Sequence, residues 1–242
     1  MDAARPRNAF LRAISAEDWR RLRLDLQEFP LINGDVLTEM GDYVRWVVFP
    51  ETGLVSVISI LISGEAVETD VLGREGAVSL IEALGSGIAQ NRLLVQVPGN
   101  AFRIRSDAFT SAFRSSPAMQ HAVHHQIELL QAQAHLAIAC QSLHTVEQRL
   151  CRRLLECDEL SGGVTPLPFT QQLLSVMLAV QRTTVTKFAS ALQDDGLIRY
   201  SRGTMRIANR EGLERRSCAC RATLVNLRAS LAVPSHLPLP SL

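Results

Sequence analysis

The sequence predicts an α+β chain in three parts, and three observations predict it: short β-rich runs cut by turn residues from Val36 to Phe102, a change of period at Ser116-Pro117, and a basic C-terminal third. The β part shows in RWVVFP, GLVSVISILI, SGEAVETDVLG and RLLVQVPG. Val55, Val57, Ser59 and Leu61 alternate, and Pro50-Glu51-Thr52-Gly53 and Ile62-Ser63-Gly64-Glu65 have turn chemistry, so the runs read as hairpins of a small sandwich or barrel. A helix near Ala16 to Glu28 is expected before it.

Ser116 followed by Pro117 is a helix start, a cap residue before a proline at the first helical position. In the helix that follows, Val123, Ile127, Leu130, Ala134 and Ala137 alternate spacings of four and three, a narrow seam whose small alanines suit a partner helix at close approach. The seam therefore predicts a homodimer. The pattern breaks around Gln141 to Thr145. A second helix, roughly Val146 to Leu160, then brings Leu150, Leu154 and Leu155 onto one face and closes at Ser161-Gly162-Gly163.

Charge is unevenly spread. Residues 1–116 carry 12 basic and 15 acidic side chains, residues 117–169 carry 3 and 5, and residues 170–242 carry 10 and 4, so a chain of net charge +1 concentrates its cations at the C-terminal end. That asymmetry suits a phosphate backbone, because each bound Lys or Arg releases condensed counterions.

The same third carries the functional pattern. Thr170 caps a short helix with Leu173, Leu174 and Met177 on its apolar side, and Leu178-Ala179-Val180-Gln181 is short enough to be a tight turn. In the next helix, Thr183 to Asp194, the residues Val185, Phe188, Ala189 and Leu192 face inward. Arg182, Thr183, Thr184, Thr186 and Lys187 are left outward at the helix start, where a recognition helix meets base edges in a major groove. Gly196-Leu197-Ile198 ends it. Ile198 to Ile207 then reads as two strands around Ser201-Arg202-Gly203, a wing carrying Arg199, Arg202 and Arg206.

With these residues in place, the chain resembles the Crp/Fnr family of cyclic-nucleotide-receptor-type regulators over nearly its whole length. The strongest match is Leu178 to Ile198, LAVQRTTVTKFASALQDDGLI, joined by VLGREGAVSL and RLLVQVPG. The resemblance implies a jelly-roll-like β-roll sensor over residues 1–116, a dimerisation helix over 117–143 and a winged helix-turn-helix over 144–242. It further implies a homodimer on palindromic double-stranded DNA, with RNA polymerase as a further partner. By position, Arg182, Thr183 and Lys187 match the family's base-reading or phosphate-reading places. The family often has Glu where Thr183 stands, so the operator of better-known members does not carry over.

The effector cassette departs from the family. In nucleotide-binding members a Gly-Glu pair meets the ribose and an Arg-Ser/Thr-Ala stretch meets the phosphate, since a buried phosphate needs a cation and backbone donors. Here the first place reads Ser79-Leu80 and the second Asn91-Arg92-Leu93, which makes Ser79, Leu80 and Arg92 the candidate effector residues and argues against a cyclic nucleotide.

No cofactor is expected. Iron-sulfur sensing would need N-terminal thiolates, and no cysteine precedes Cys140. Haem or zinc on the long helix would fall to His121, His124, His125 or His135, which read better as polar positions flanking the seam. Cys218-Ala219-Cys220 has no second Cys or His pair near it in sequence and is not read as a metal site. The chain has no Gly-x-Ser-x-Gly, no phosphate-cradling loop and no other constellation of catalytic residues, so an enzyme is not expected. Five cysteines, all in the second half, suit a reducing cytoplasm rather than a disulfide framework, and VSVISILI is too short to span a bilayer. The competing class is a signalling adaptor that binds a protein partner through its β part without specific DNA binding.

Overall fold

The computed structural model describes residues 6–162 and 165–230. Two short helices come first, α1 (Ala9–Ala13) and α2 (Ala16–Leu22). Asn8 caps α1, while its side-chain amide donates to the Pro50 and Gly76 carbonyls; Ser15 caps α2 through the Asp18 N–H. The helix expected to reach Glu28 stops at Leu22, because Gln27 and Glu28 open β1 (Gln27–Leu31). Pro30 is tolerated there because β1 is an edge strand.

The strands β2 (Val36–Thr38), β3 (Trp46–Pro50), β4 (Leu54–Ile60), β5 (Ala66–Leu72), β6 (Arg92–Val97) and β7 (Gly99–Arg105) form two antiparallel sheets, with α3 (Leu80–Leu84) between β5 and β6. One sheet runs β1-β7-β3 and the other β2-β6-β4-β5. Val48, Val55, Leu72, Leu93, Val95 and Ala101 fill the space between them. The strand β4 is apolar on both faces for a reason. Val55 points into the sandwich, whereas Leu54 joins Val71 and Val97 under the helices of the C-terminal unit.

After α4 (Ser106–Ser115) comes the long helix α5 (Pro117–Leu143), with Ser116 accepting from the Met119 N–H and Pro117 in its first turn. Phe10, Phe49 and Phe109, from α1, β3 and α4, pack with ring centroids 5.7 to 6.2 Å apart, and Met119 and Val123 close the cluster from α5. One stripe of α5, Met119, Val123, Gln126, Leu129, Gln133 and Cys140, is buried within its own chain. This corrects the predicted seam. Val123 is wholly buried in the N-terminal core and is not available to a partner, and Ile127 and Leu130 are half-buried against their own chain. The apolar surface left open on α5 is further along: Ala134 and Ile138 are exposed and Ala137 is half-buried.

The helix ends because His144 is extended, and a capping box between Thr145 and Gln148 starts α6 (Val146–Leu160). Then follow α7 (Gln171–Leu178), α8 (Arg182–Asp194), β8 (Ile198–Ser201), β9 (Thr204–Ile207), α9 (Arg210–Arg216) and α10 (Cys220–Ser230). Of the expected Ser161-Gly162-Gly163 stop, Gly162 adopts φ +76°, and Gly163 lies outside the described residues. The C-terminal unit is joined to the sandwich by a buried ion network as well as by the apolar core. Arg153 of α6 pairs with Glu68 of β5 and with Glu156, and Ser56 and Gln96 also donate to Glu68.

Candidate nucleic-acid interface

The helix pair α7–α8 is built around a three-residue turn. Thr170 accepts from the Leu173 N–H at the start of α7, and Ala179 at its end takes the left-handed conformation, φ +52°. Leu174, Met177 and Leu178 from α7 meet Val185, Ala189 and Leu192 from α8, with Leu197, Ile198, Met205 and Leu213 completing the core. That packing fixes the outward face of α8. Arg182, Thr183, Thr186 and Lys187 are exposed, and Thr184 is half-buried. The Thr186 hydroxyl donates back to the Arg182 carbonyl at 2.9 Å, so its proton is used within the helix. Gln181 makes no side-chain cap, which leaves the first amides of α8 pointing outward at the positive end of the helix dipole.

The strands β8 and β9 pair in the register Ile198↔Ile207, Arg199↔Arg206, Tyr200↔Met205 and Ser201↔Thr204. Both residues at the tip, Arg202 at φ +49° and Gly203 at φ +76°, lie in the left-handed region, as the tight primed hairpin turn requires. Arginine rarely adopts that conformation. The wing is fixed to α8 by the Tyr200 N–H, which donates to Gln193 Oε1 at 2.8 Å, and β9 pairs with Leu167 through Met205.

The cations of this region fall into two sets. Arg210 pairs with Asp158 and Glu159, Arg216 with Glu147 and Asp195, and Arg221 with Glu159 and Glu214, all of them within the protein. Arg182, Lys187, Arg199, Arg202 and Arg206 on α8 and the wing, and Arg215 on α9, have no acidic partner within 4.0 Å among the described residues, and all six are exposed.

The candidate effector residues are not brought together. Leu80 is buried in the core around the three phenylalanines, and Arg92 is at the surface in an ion pair with Glu39 at 2.8 Å. Ser79, at φ +63°, reaches a cavity of about 790 Å3 whose lining also includes Phe29, Leu37, Trp46, Leu93 and Arg103. Arg103 was not legible in the sequence as a site residue. Its guanidinium stacks over Trp46 at 4.1 Å and Phe29 at 4.5 Å, and its Nε is buried without a hydrogen-bond partner.

Cysteine and histidine also sort by geometry. Burial pushes the Cys151 and Cys157 thiols up to about 12, which makes them inert core residues. His121 and His124 are exposed, and the run to His125 meets no further Cys, His or carboxylate donor set among the described residues. Cys218 and Cys220, in contrast, do acquire a second pair. The fold sets them beside Cys140 and His144, so the reading that no Cys or His pair lies near them is corrected.

The family described as a Crp-like helix-turn-helix domain matches residues 148–216, which run from the first turn of α6 to the end of α9. No curated protein matches the sequence. Among solved structures, FixK2 from Bradyrhizobium japonicum is similar at 15% identity and TM-score 0.66, covering 80% of this chain and 98% of the other. A putative regulator of the Crp/Fnr family from Eubacterium rectale is similar at 14% identity and TM-score 0.67, covering 85% and 95%. The global regulator CLP of Xanthomonas campestris, described as responsive to c-di-GMP, is similar at 16% identity and TM-score 0.64, covering 80% and 99%. The class defined, over residues 148–216, is a Crp-like helix-turn-helix domain. Over the rest of the chain the likeness is one of fold, shared with solved structures of the Crp/Fnr family. Among the described residues no helix is long and apolar enough to cross a membrane.

Proposed function

We propose that the chain acts in the cytoplasm as a homodimer that reads an inverted-repeat operator, with α8 in the major groove and the wing on the adjacent backbone. The observation that carries this reading is the division of the C-terminal cations. A solvated face would satisfy its arginines internally wherever acids are near, as Arg210, Arg216 and Arg221 do. Five exposed cations cluster without such partners on two adjoining elements, against a single one, Arg215, on α9, and that concentration is what a surface waiting for phosphates requires.

On this reading Arg182, Thr183 and Lys187 read bases or phosphates, Thr184 and Thr186 support them from the helix, and Arg199, Arg202 and Arg206 grip the backbone. Residues 1–116 sense a signal, 117–143 dimerise and 144–242 bind DNA. The exposed Ala134 and Ile138 with Ala137 carry the dimer contact in place of Val123. The signal enters the cavity lined by Arg103, whose size suits a small ligand. RNA polymerase is the downstream partner. Titrating the protein onto fragments of its own genome, recovering those retained and measuring their affinity at two salt concentrations tests the reading. A shared inverted repeat bound with a steep salt dependence supports it, and uniform retention of all fragments refutes it.

A further inference from the structure

Three thiols and an imidazole converge where the long helix meets the DNA-binding unit. Cys140 and His144 stand one turn apart at the end of α5 and its cap, and Cys218 and Cys220 flank the start of α10. Cys140 Sγ lies 3.6 Å from Cys218 Sγ, Cys220 Sγ lies 3.5 Å from His144 Nδ1, and all four donor atoms fall within 4.8 Å of one another. All three cysteines are buried, with Leu136 packed against them.

From this geometry we propose that Cys140, His144, Cys218 and Cys220 form a closed tetrahedral site for a divalent metal ion of the zinc class. The spacing supports it quantitatively. With metal–sulfur bonds of about 2.3 Å and metal–nitrogen bonds of about 2.0 to 2.1 Å, a tetrahedron has S···S edges near 3.8 Å and S···N edges near 3.5 Å. The two donor separations above match those edges. A four-iron cluster, whose ligands sit on four different irons, needs a wider cage than this one.

Charge supplies an independent argument. Three thiolates and a neutral imidazole around a divalent ion carry a net single negative charge. Two arginines face that position: Arg152 is within electrostatic reach of all three thiols and Arg149 of Cys140 and Cys218. Each keeps a buried Nε without a hydrogen-bond partner. Arg152 already pairs with Glu156 at 2.9 Å, whereas among the described residues Arg149 donates only to the neutral Gln141 side chain and the Leu178 carbonyl; an anionic metal centre supplies the counter-charge that Arg149 lacks. Metal binding displaces the thiol protons to solvent and ties α10 to the joint between α5 and α6.

The test uses the full chain, purified under reducing conditions, stripped with a chelator and titrated with Co2+ as a spectroscopic stand-in. One Co2+ per chain, with the intense visible bands of tetrahedral thiolate coordination and displacement by Zn2+, is the expected result. Those bands disappear in Cys218→Ser and weaken in His144→Ala, while Cys151→Ser, outside the cluster, keeps them. Wild-type protein that shows no tetrahedral spectrum overturns the proposal. So does a spectrum unchanged in Cys218→Ser.

Discussion

Arg199 and Arg206 stand directly opposite each other across the two-stranded wing, without an acidic partner for either. Like charges facing across a strand pair destabilise it by some tenths of a kcal/mol, up to about 1. On the proposed reading, a hairpin that carries this cost, with a left-handed Arg202 at its tip, serves to meet an anion. Replacing Arg206 with Thr should therefore leave the melting temperature unchanged or slightly raised. DNA binding should weaken by a similar factor on every sequence, with the salt slope falling by about one. Anisotropy titrations at several salt concentrations, beside a thermal melt, check both. A sharp loss of stability with unchanged DNA affinity would give the pair a structural role instead.

The dimer contact is the next expectation. Leu130 packs on the sandwich core, so a charge there would damage the fold as well as any interface. Ile138, 66% exposed, separates the two effects. Ile138→Glu should halve the mass measured by light scattering while circular dichroism and melting stay close to wild type. A dimer mass retained in both Ile138→Glu and Ala134→Glu would place the interface elsewhere.

Much of the binding unit was legible because its signals are local. The turn before Arg182, the inward spacing of Val185, Ala189 and Leu192, and the Arg202-Gly203 turn all lie within about thirty residues. What was hidden depends on contacts between distant segments. The helices α1 and α3, five residues each, are too short to show a period, and the phenylalanine cluster joins α1, β3 and α4 across distant segments. Val123 has the spacing of a dimer seam and the burial of a core residue, since one helix face cannot announce which surface will cover it. The pairing of Cys140 with Cys218 spans 78 residues, beyond any motif spacing.

Asp70 links the joint between the units to pH. Its carboxyl is raised to about 7, first by burial and then by Glu156 of α6 and Glu75, against the opposing Val71 N–H and Arg228 of α10. The folded state thus keeps a proton that the unfolded chain gives up near pH 4. Its contribution favours folding most at the acid end and is lost as pH rises from about 4 to about 7. Asp70→Asn should flatten this part of the stability profile and raise the melting temperature at and above pH 7. Denaturant melts of both proteins from pH 5 to 8 measure it, and parallel profiles would remove Asp70 as the cause.

Sequence reading through the exposed start of α8 is the central expectation, and Arg182 tests it directly. If the two helices enter successive major grooves, the operator is an inverted repeat with half-sites about 10 bp, or roughly 34 Å, apart. The decisive measurement is the affinity of wild type and Arg182→Ala for that repeat and for a scrambled duplex at matched salt. Wild type should prefer the repeat, and Arg182→Ala should lose about 1 to 3 kcal/mol on it with little change on the scrambled duplex. An equal loss on both would make Arg182 a phosphate contact. Equal affinity of wild type and variant for both duplexes would contradict the account.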